Sequence, residues 1–384
     1  MTPRVSIIIP CFNGSATLGE TLDSVQRQTF PAWEAIIVDD GSTDNSGEVI
    51  AGYSRRDCRF SGRSQENRGL GSARNTGLAQ ARGEFVLFLD ADDLLRPEML
   101  ERMVKRLAGD PSIGVAHCGW ICADPEGRDL RWTRRFPREG ALFDSLAHVN
   151  PFPCHSVMLR RSLFEATGEF DTSIRHCHDW DLWVRVARAG AHFGAVPTAL
   201  VVYRMQRVSL SRSPRTFFEV GAEILRRSHA PDSRVRHPAH GLENGCRCGC
   251  VRKALVGWLV HCLGFAVAQG NDVLASELVE AALGHERHDL APARLRGIVS
   301  AMHFAAAIPW SDNDRLMTEV GATLLRFLVA EEAASKRPGF ALASLAEVLS
   351  AHPSQRSMML ARVSAREMLA AVPRRVLRRV GLAR

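Results

Sequence analysis

Three times in its first ninety residues the chain runs through a short, nearly unbroken apolar stretch and then turns polar. Arg4-Val5-Ser6-Ile7-Ile8-Ile9-Pro10 is β-branched and stopped by proline, the pattern of a strand buried on both faces. Ala35-Ile36-Ile37-Val38 repeats it, and Glu84 to Leu89 repeats it again. Between them the apolar spacing becomes helical. Leu18, Leu22 and Val25 mark a helix over 17–28, and Asp44 can cap another from Asn45 to Tyr53. Residues 71–81 and 97–107 carry two more helical patterns. Strands that alternate with helices predict an α/β fold, a mostly parallel sheet with helices on both faces.

From Gly114 to Ser211 the pattern is mixed: strand-like pieces at 115–118, 156–159 and 199–203 flank a helix around 180–189. Beyond Pro214 strand patterns stop and alanine, leucine and arginine dominate at helical spacing. The expected organisation is an α/β domain over 1–213 and an all-helical region over 214–384, with a Pro-, His-, Gly- and Arg-rich loop at 228–249. Each polar cluster in the first part follows a strand: Pro10 to Asn13, Asp39 to Ser42, Asp90 to Asp93. Ligands of open parallel sheets bind outside the carboxyl ends of the strands, so these clusters are expected to line one crevice.

Composition refines this only modestly. With 384 residues and 46% apolar content, the chain can bury the cores of two domains. The formal net charge of +7 suits an anionic partner. The basic residues are scattered and form no recognised module, so no nucleic acid is expected. Met1-Thr2-Pro3-Arg4 leads straight into the first strand and not into a signal-peptide core. The ten cysteines are therefore expected as thiols in a cytoplasmic setting. The nearly apolar run from Ala254 to Ala268, about 15 residues, falls short of the ~20 that span a bilayer and is expected to be a buried helix.

Several clusters could carry chemistry. Asp90, Asp92 and Asp93 crowd three carboxylates into four positions, which repel unless positive charge sits against them. One or two aspartates completed by substrate phosphates is how Mg²⁺ or Mn²⁺ is usually held; a capping turn before the next helix is the alternative. Asp40, within Asp39-Asp40-Gly41-Ser42, can accept from a nucleobase N–H or a ribose hydroxyl, or serve only in a polar loop. Asn67 to Asn75 offers glycines at a helix start with Arg68 and Arg74, a phosphate-binding composition. It is not a dinucleotide fingerprint, because Arg74 stands where a third glycine is needed. Asp179 and Asp181 open a helix bearing Trp180 and Trp183; a carboxylate there is a helix cap or a partly desolvated general base. Cys246-Arg247-Cys248-Gly249-Cys250 has tighter spacing than structural zinc sites use, with His237, His240, His261 and Cys262 near in sequence. The tail from Pro373 to Leu382 sets four arginines around Val376, Leu377 and Val380, a composition suited to an anionic membrane surface or to a solvated helix. No G-x-S-x-G elbow is present.

In this order, "VSIIIPCFNGSATLGETLDSVQRQTF", "EAIIVDDGSTDNS", "ENRGLGSARNTGLAQARGEFVLFLDADD" and "GEFDTSIRHCHDWDLWVRVARAG" resemble family 2 glycosyltransferases of the GT-A fold, over about residues 4–211. The resemblance implies inverting, non-processive transfer of a sugar from a nucleotide-diphosphate donor, UDP-linked by the family's habit, as in polysaccharide biosynthesis. It implies Pro10, Phe12, Asn13 and Asp40 as nucleoside-side contacts and Arg74 as a phosphate-side or structural partner. Asp90-Ala91-Asp92 is similar to the family's D-x-D, with Asp92 as metal ligand, Asp93 close by, and Mn²⁺ or Mg²⁺ as cofactor. Asp179 corresponds to the catalytic base, flanked by His178 and Trp180 as substrate contacts. The chain departs from the family at His178, where a glutamate is usual, and at Gln206, where relatives often carry histidine. The Q-x-x-R-W signature of processive synthases is absent. A glycan, lipid-linked or other small molecule is the implied acceptor; peripheral membrane contact through the tail and homodimerisation are compatible with the helical region. The departures leave room for a non-catalytic nucleotide- or glycan-binding relative. A nucleotidyltransferase would need a Gly- and Lys-rich loop where Pro10-Cys11-Phe12-Asn13 stands.

Overall fold

The computed structural model describes residues 2–134, 136–205, 214–246 and 251–283, with isolated helical positions between 301 and 344. Gln206, Cys248, Cys250 and the 373–382 tail lie outside the described residues. The chain divides into two compact units, one of Met1–Arg204 with Glu223–Val251, the other of Met205–Ala222 with Arg252–Arg384.

The first unit grows from strand β1 (Val5–Cys11), all seven residues of which are buried. Helix α1 (Ser15–Gln26) buries Leu18, Leu22 and Val25, the positions whose spacing marks it in the sequence. Then come β2 (Trp33–Asp39), α2 (Ser46–Arg56), β3 (Phe60–Ser64), α3 (Leu70–Leu78) and β4 (Phe85–Phe88). β1 pairs in parallel with β2 on one side and β4 on the other, and β3 extends the sheet beyond β2. The chain thus winds outward from β1 to β3 and returns to β4 on the opposite side. That reversal opens a crevice above the carboxyl ends of β1 and β4, the switch point where such sheets bind ligands.

The second half of the sheet departs from simple alternation. After β5 (Leu94–Leu95) and α4 (Met99–Gly109), the long strand β6 (Ile113–Ala123) forms a hairpin with β7 (Asp129–Arg134). β8 (Gly140–Ala141), α5 (Phe143–Leu146), β9 (Val157–Arg160), α6 (Leu163–Thr167), α7 (His178–Arg188) and β10 (His192–Arg204) follow. The strand order is β3-β2-β1-β4-β9-β6-β10-β5, with β9 antiparallel to both its neighbours and β10 parallel to β6. β3 escapes the pattern because it is an edge strand, Phe-Ser-Gly-Arg-Ser, with Phe60 its one fully buried residue. β10 is far longer than the 199–203 reading because Pro197 and register shifts between Val196 and Val201 break its apolar run.

Helix α8 (Pro214–Ser228) lies in the second unit as far as Ala222 and in the first from Glu223. Residues 229–246, expected as a loop, contain only turns, bends and irregular backbone. In the second unit are the start of α8, α9 (Val251–Ala268) and α10 (Asp272–Leu283). Helix α9 is long and apolar enough to cross a membrane by length and composition, yet 61% of it is buried inside the protein. Trp258 fills its contact with α8, donating an indole hydrogen bond to the Phe218 carbonyl at 3.2 Å.

The α3–β1 contact leaves no spare room. A Cβ on Gly77 would lie 2.4 Å from Ile8 Cγ2 in the middle of the sheet. Gly77→Ala is expected to destabilise the first unit by about 1–3 kcal/mol through overpacking, read as a lower urea midpoint with an unchanged m-value.

Candidate active site

The expected clusters do meet at the carboxyl ends of β1, β2 and β4. Two loops form one wall. Asn13, in the left-handed region at φ 51°, accepts from the Thr43 amide through Oδ1 at 2.8 Å, and its own amide donates to Ser42 Oγ at 2.9 Å. Asp44 accepts from the amides of Ser15 and Ser46, each at 3.0 Å, so one carboxylate caps the starts of α1 and α2. Pro10 is buried within β1, whereas Phe12, at its end, is 53% exposed and offers an aromatic face to the crevice mouth. Asp40 is buried. Its carboxylate accepts from Gln65 Nε2 at 2.7 Å, the Arg68 amide at 3.0 Å and the Gly69 amide at 2.8 Å. It therefore fixes the approach to α3, and one acceptor position of Oδ2 stays outside these three bonds.

The acidic rim follows β4. Asp90 Oδ1 accepts from Arg74 Nη2 at 2.7 Å. Burial would raise the Asp90 pKa, but Arg74 and then His155 hold it below the usual carboxylate value. Asp93, 1% exposed, accepts from the Arg204 amide through Oδ1 at 2.8 Å, and its Oδ2 lies 2.7 Å from His155 Nδ1. Burial opposes charge on His155, yet Asp93, Asp90 and Asp92 raise its pKa above the ordinary histidine value. Arg74 and His155 are thus two internal cations for three carboxylates. Asp92 is the third, half-buried and without a cationic side chain at salt-bridge distance among the described residues. Burial, followed by repulsion from Asp93 and Asp90, pushes its pKa up to about 8.

With that pKa Asp92 keeps its proton at neutral pH, and a divalent cation could take the proton's place and supply the missing positive charge. Asp92 is the free-standing carboxylate, and Asp90, Asp93 and His155 bring one ligand atom each within 4.8 Å of one another behind it. Both oxygens of Asp93 already have partners, so it backs the rim more directly than it faces the crevice.

Across from the rim lies the start of α7. Asp179 Oδ1 accepts from the Trp180 amide at 2.8 Å and Oδ2 from Asn150 Nδ2 at 3.1 Å. Burial raises its pKa, against the pull of Arg74, so it is a stronger base than an ordinary aspartate. Asp181, the competing carboxylate in the same turn, is 2% exposed and locked to Arg185 and Arg234, each at 2.9 Å. Arg74 sits between the two groups. It is 3% exposed, and Cys154, Asp90 and Asp179 keep it charged against the effect of burial.

Two of the expected substrate contacts, Trp180 and His178, are buried in this structure. Trp180 is fully buried and donates from Nε1 to the Leu146 carbonyl at 2.7 Å, so it supports the wall behind Asp179. His178 is 5% exposed and packs on Gly71, where a Cβ would lie 3.0 Å from the ring. Burial and then Arg74 lower its pKa to about 4, which leaves it neutral at pH 7. His155 and Asn150 have no signal in the sequence, since neither stands at a motif spacing from the acids it serves.

Residues 6–168 match the model of the family described as Glycosyl transferase family 2, a span that ends ahead of Asp179. The putative glycosyltransferase EpsH of Bacillus subtilis (strain 168) is 43% identical over 236 residues, 58% of this chain and 67% of EpsH. The putative teichuronic acid biosynthesis glycosyltransferase TuaG of the same organism is 31% identical over 211 residues, 54% of this chain and 82% of TuaG. The chain belongs to glycosyltransferase family 2. It spans only 60% of another relative, the uncharacterized glycosyltransferase RT0329 of Rickettsia typhi, at 33% identity over half of its own length. S. aureus TarS 1-349, solved in complex with UDP-GlcNAc, shares the fold at TM-score 0.52 and 18% identity, over 93% of this chain and 92% of that one.

Removing His155 would leave Asp93 charged, buried and unpaired. His155→Leu is therefore expected to destabilise the first unit by about 3–5 kcal/mol in urea unfolding at pH 7. The companion His155→Leu/Asp93→Leu pair should recover most of that loss, as expected when the penalty is an orphaned charge.

Proposed function

We propose that this chain transfers a sugar from a nucleoside diphosphate donor to an acceptor hydroxyl, with inversion at the anomeric carbon. The observation that carries this reading is the pair of carboxylates on either side of Arg74. One, Asp92, lacks a counter-charge at the switch-point rim; the other, Asp179, is held in place and made more basic by burial. The family supports it, as does TarS, whose structures hold UDP and UDP-GlcNAc. A UDP-sugar is the favoured donor, and a glycan acceptor is in keeping with the teichuronic acid relative, with a lipid-linked or other small acceptor as the alternative.

In this mechanism the nucleoside rests against Phe12 and the Asn13 loop, with Asp40 holding the segment that closes the pocket. Asp92 would bind Mn²⁺ or Mg²⁺, with Asp93 behind it; such an ion would neutralise negative charge on the diphosphate. Arg74 holds Asp90 in place and spreads positive charge beneath the phosphates. Asp179, oriented by Asn150 and the Trp180 amide, takes the proton of the acceptor hydroxyl. That oxygen attacks the anomeric carbon from the face opposite the diphosphate, and the bond to the diphosphate breaks. His178, neutral and packed on Gly71, adds no charge beside the base.

Asp179→Asn is expected to slow transfer by roughly 10²–10⁴-fold while donor affinity, measured calorimetrically, stays near wild type. Loss of binding and turnover together would make Asp179 structural. Because its pKa is raised, the acid limb of kcat/KM should fall above the ordinary aspartate pKa of about 3.9, with activity lost as pH drops through it. Asp92→Ala should abolish the manganese dependence of UDP binding; an unchanged difference between metal and EDTA conditions would remove Asp92 from that role.

A further inference from the structure

A second group of ligating side chains lies in the first unit, outside the acidic rim. His148, His229 and Cys246 each bring one ligand atom into a set whose members all lie within 4.8 Å of one another. They come from the loop after α5, the turn after α8 and the end of the 229–246 segment. Cys246 is buried and both histidines are half-buried. The two imidazoles stack with centroids 5.6 Å apart and planes 17° from parallel.

The backbone around this group is built to bring it together. Gly245 has φ 87°, and a Cβ there would lie 2.6 Å from the Ser228 carbonyl oxygen and 2.7 Å from the Ala230 nitrogen. Glycine alone allows that approach, and the Cys246 amide then donates to the Ser228 carbonyl at 2.9 Å. Arg188, fully buried, holds the same turn by donating to the carbonyls of Ala230 at 2.7 Å, Arg227 at 2.9 Å and Ser228 at 3.1 Å. The Leu225 carbonyl accepts from His229 Nδ1 at 2.8 Å. A carbonyl partner makes Nδ1 the protonated nitrogen, which leaves the lone pair on Nε2. This is the outer hydrogen bond by which metal-bound histidines are oriented. Asp144 Oδ1 lies 3.6 Å from Cys246 Sγ, where the thiol proton points to it.

We propose that His148, His229 and Cys246 bind a zinc ion, with the fourth position taken by water. Two imidazoles with a thiolate select zinc over magnesium, manganese or calcium, which take oxygen donors. Bonds of about 2.0–2.3 Å in a tetrahedron set ligands about 3.3–3.8 Å apart, within the span of this cluster. The ion takes the place of the Cys246 thiol proton, which is released to solvent, and the thiolate offsets one of its two positive charges. The site is structural: it pins the 229–246 segment to the loop after α5, and no part of the transfer reaction passes through it. The sequence pattern of three closely spaced cysteines hides it, because both histidine partners are remote from or upstream of that cluster.

The test uses the untagged full-length chain, expressed with zinc supplementation, dialysed and measured by inductively coupled plasma mass spectrometry. The expected content is about one zinc per chain, retained in Asp92→Ala and falling to about a tenth or less in Cys246→Ser and in His229→Ala. Should those variants fail to fold, the wild-type chain reconstituted with Co²⁺ still decides. It should show a thiolate-to-cobalt charge-transfer band and the intense visible bands of tetrahedral coordination. Zinc-free wild-type protein, a cobalt spectrum without thiolate character, or full zinc retention in Cys246→Ser would overturn the proposal. So would zinc lost only in Asp92→Ala, which would assign the ion to the acidic rim.

Discussion

The arrangement of the first unit depends on how three crowded carboxylates are made tolerable. Asp90, Asp92 and Asp93 follow β4 directly, and burying such charge without partners would outweigh most of what the surrounding core contributes. Two of the three are answered from within. Arg74 reaches Asp90 from α3, and His155 reaches Asp93 from the turn before β9. These contacts also hold the architecture, since Asp93 accepts from the amide of Arg204, the last residue of β10. The rim is thus a junction of four segments of the chain, joined by charge at the point where the sheet reverses direction. Asp92 is the carboxylate left without such a partner among the described residues, and its pKa rises accordingly.

Much of this unit is legible along the chain because its strands are buried on both faces. Val5–Cys11 and Trp33–Asp39 lie in the middle of a covered sheet, so nearly every side chain must be apolar and the run announces itself. β3 lies at an edge, where packing asks little of Ser61, Gly62, Arg63 and Ser64, and it carries no signal. β9 is short and antiparallel, placed between β4 and β6 by pairings that no local pattern encodes. The helices are read to within a few residues because their apolar stripes face the sheet, as Met99, Leu100, Met103, Val104 and Leu107 do in α4.

The site is legible to the extent that its residues sit at strand ends and helix starts. Asp40, the acids after β4 and Asp179 all occupy such positions, and topology alone brings the first two sets together. What sequence cannot supply is which polar group answers which. His155 and Asn150 act through contacts across long stretches of chain, and Trp180 turns inward because the Leu146 carbonyl needs a donor. Arg74 reads from the sequence as a phosphate-side or structural partner; its depth and its bond to Asp90 place it between the rim and Asp179.

The hydrogen bonds of Asn13 and Asp44 join the loops after β1 and β2 into one body. Ordering an exposed, rotamer-rich side chain on association costs about 0.5–1.5 kcal/mol. A wall whose amides and carboxylates already satisfy one another would incur little of that penalty on meeting a ligand. The two loops behave as a single finished surface, and an insertion in either would disturb both helix starts at once.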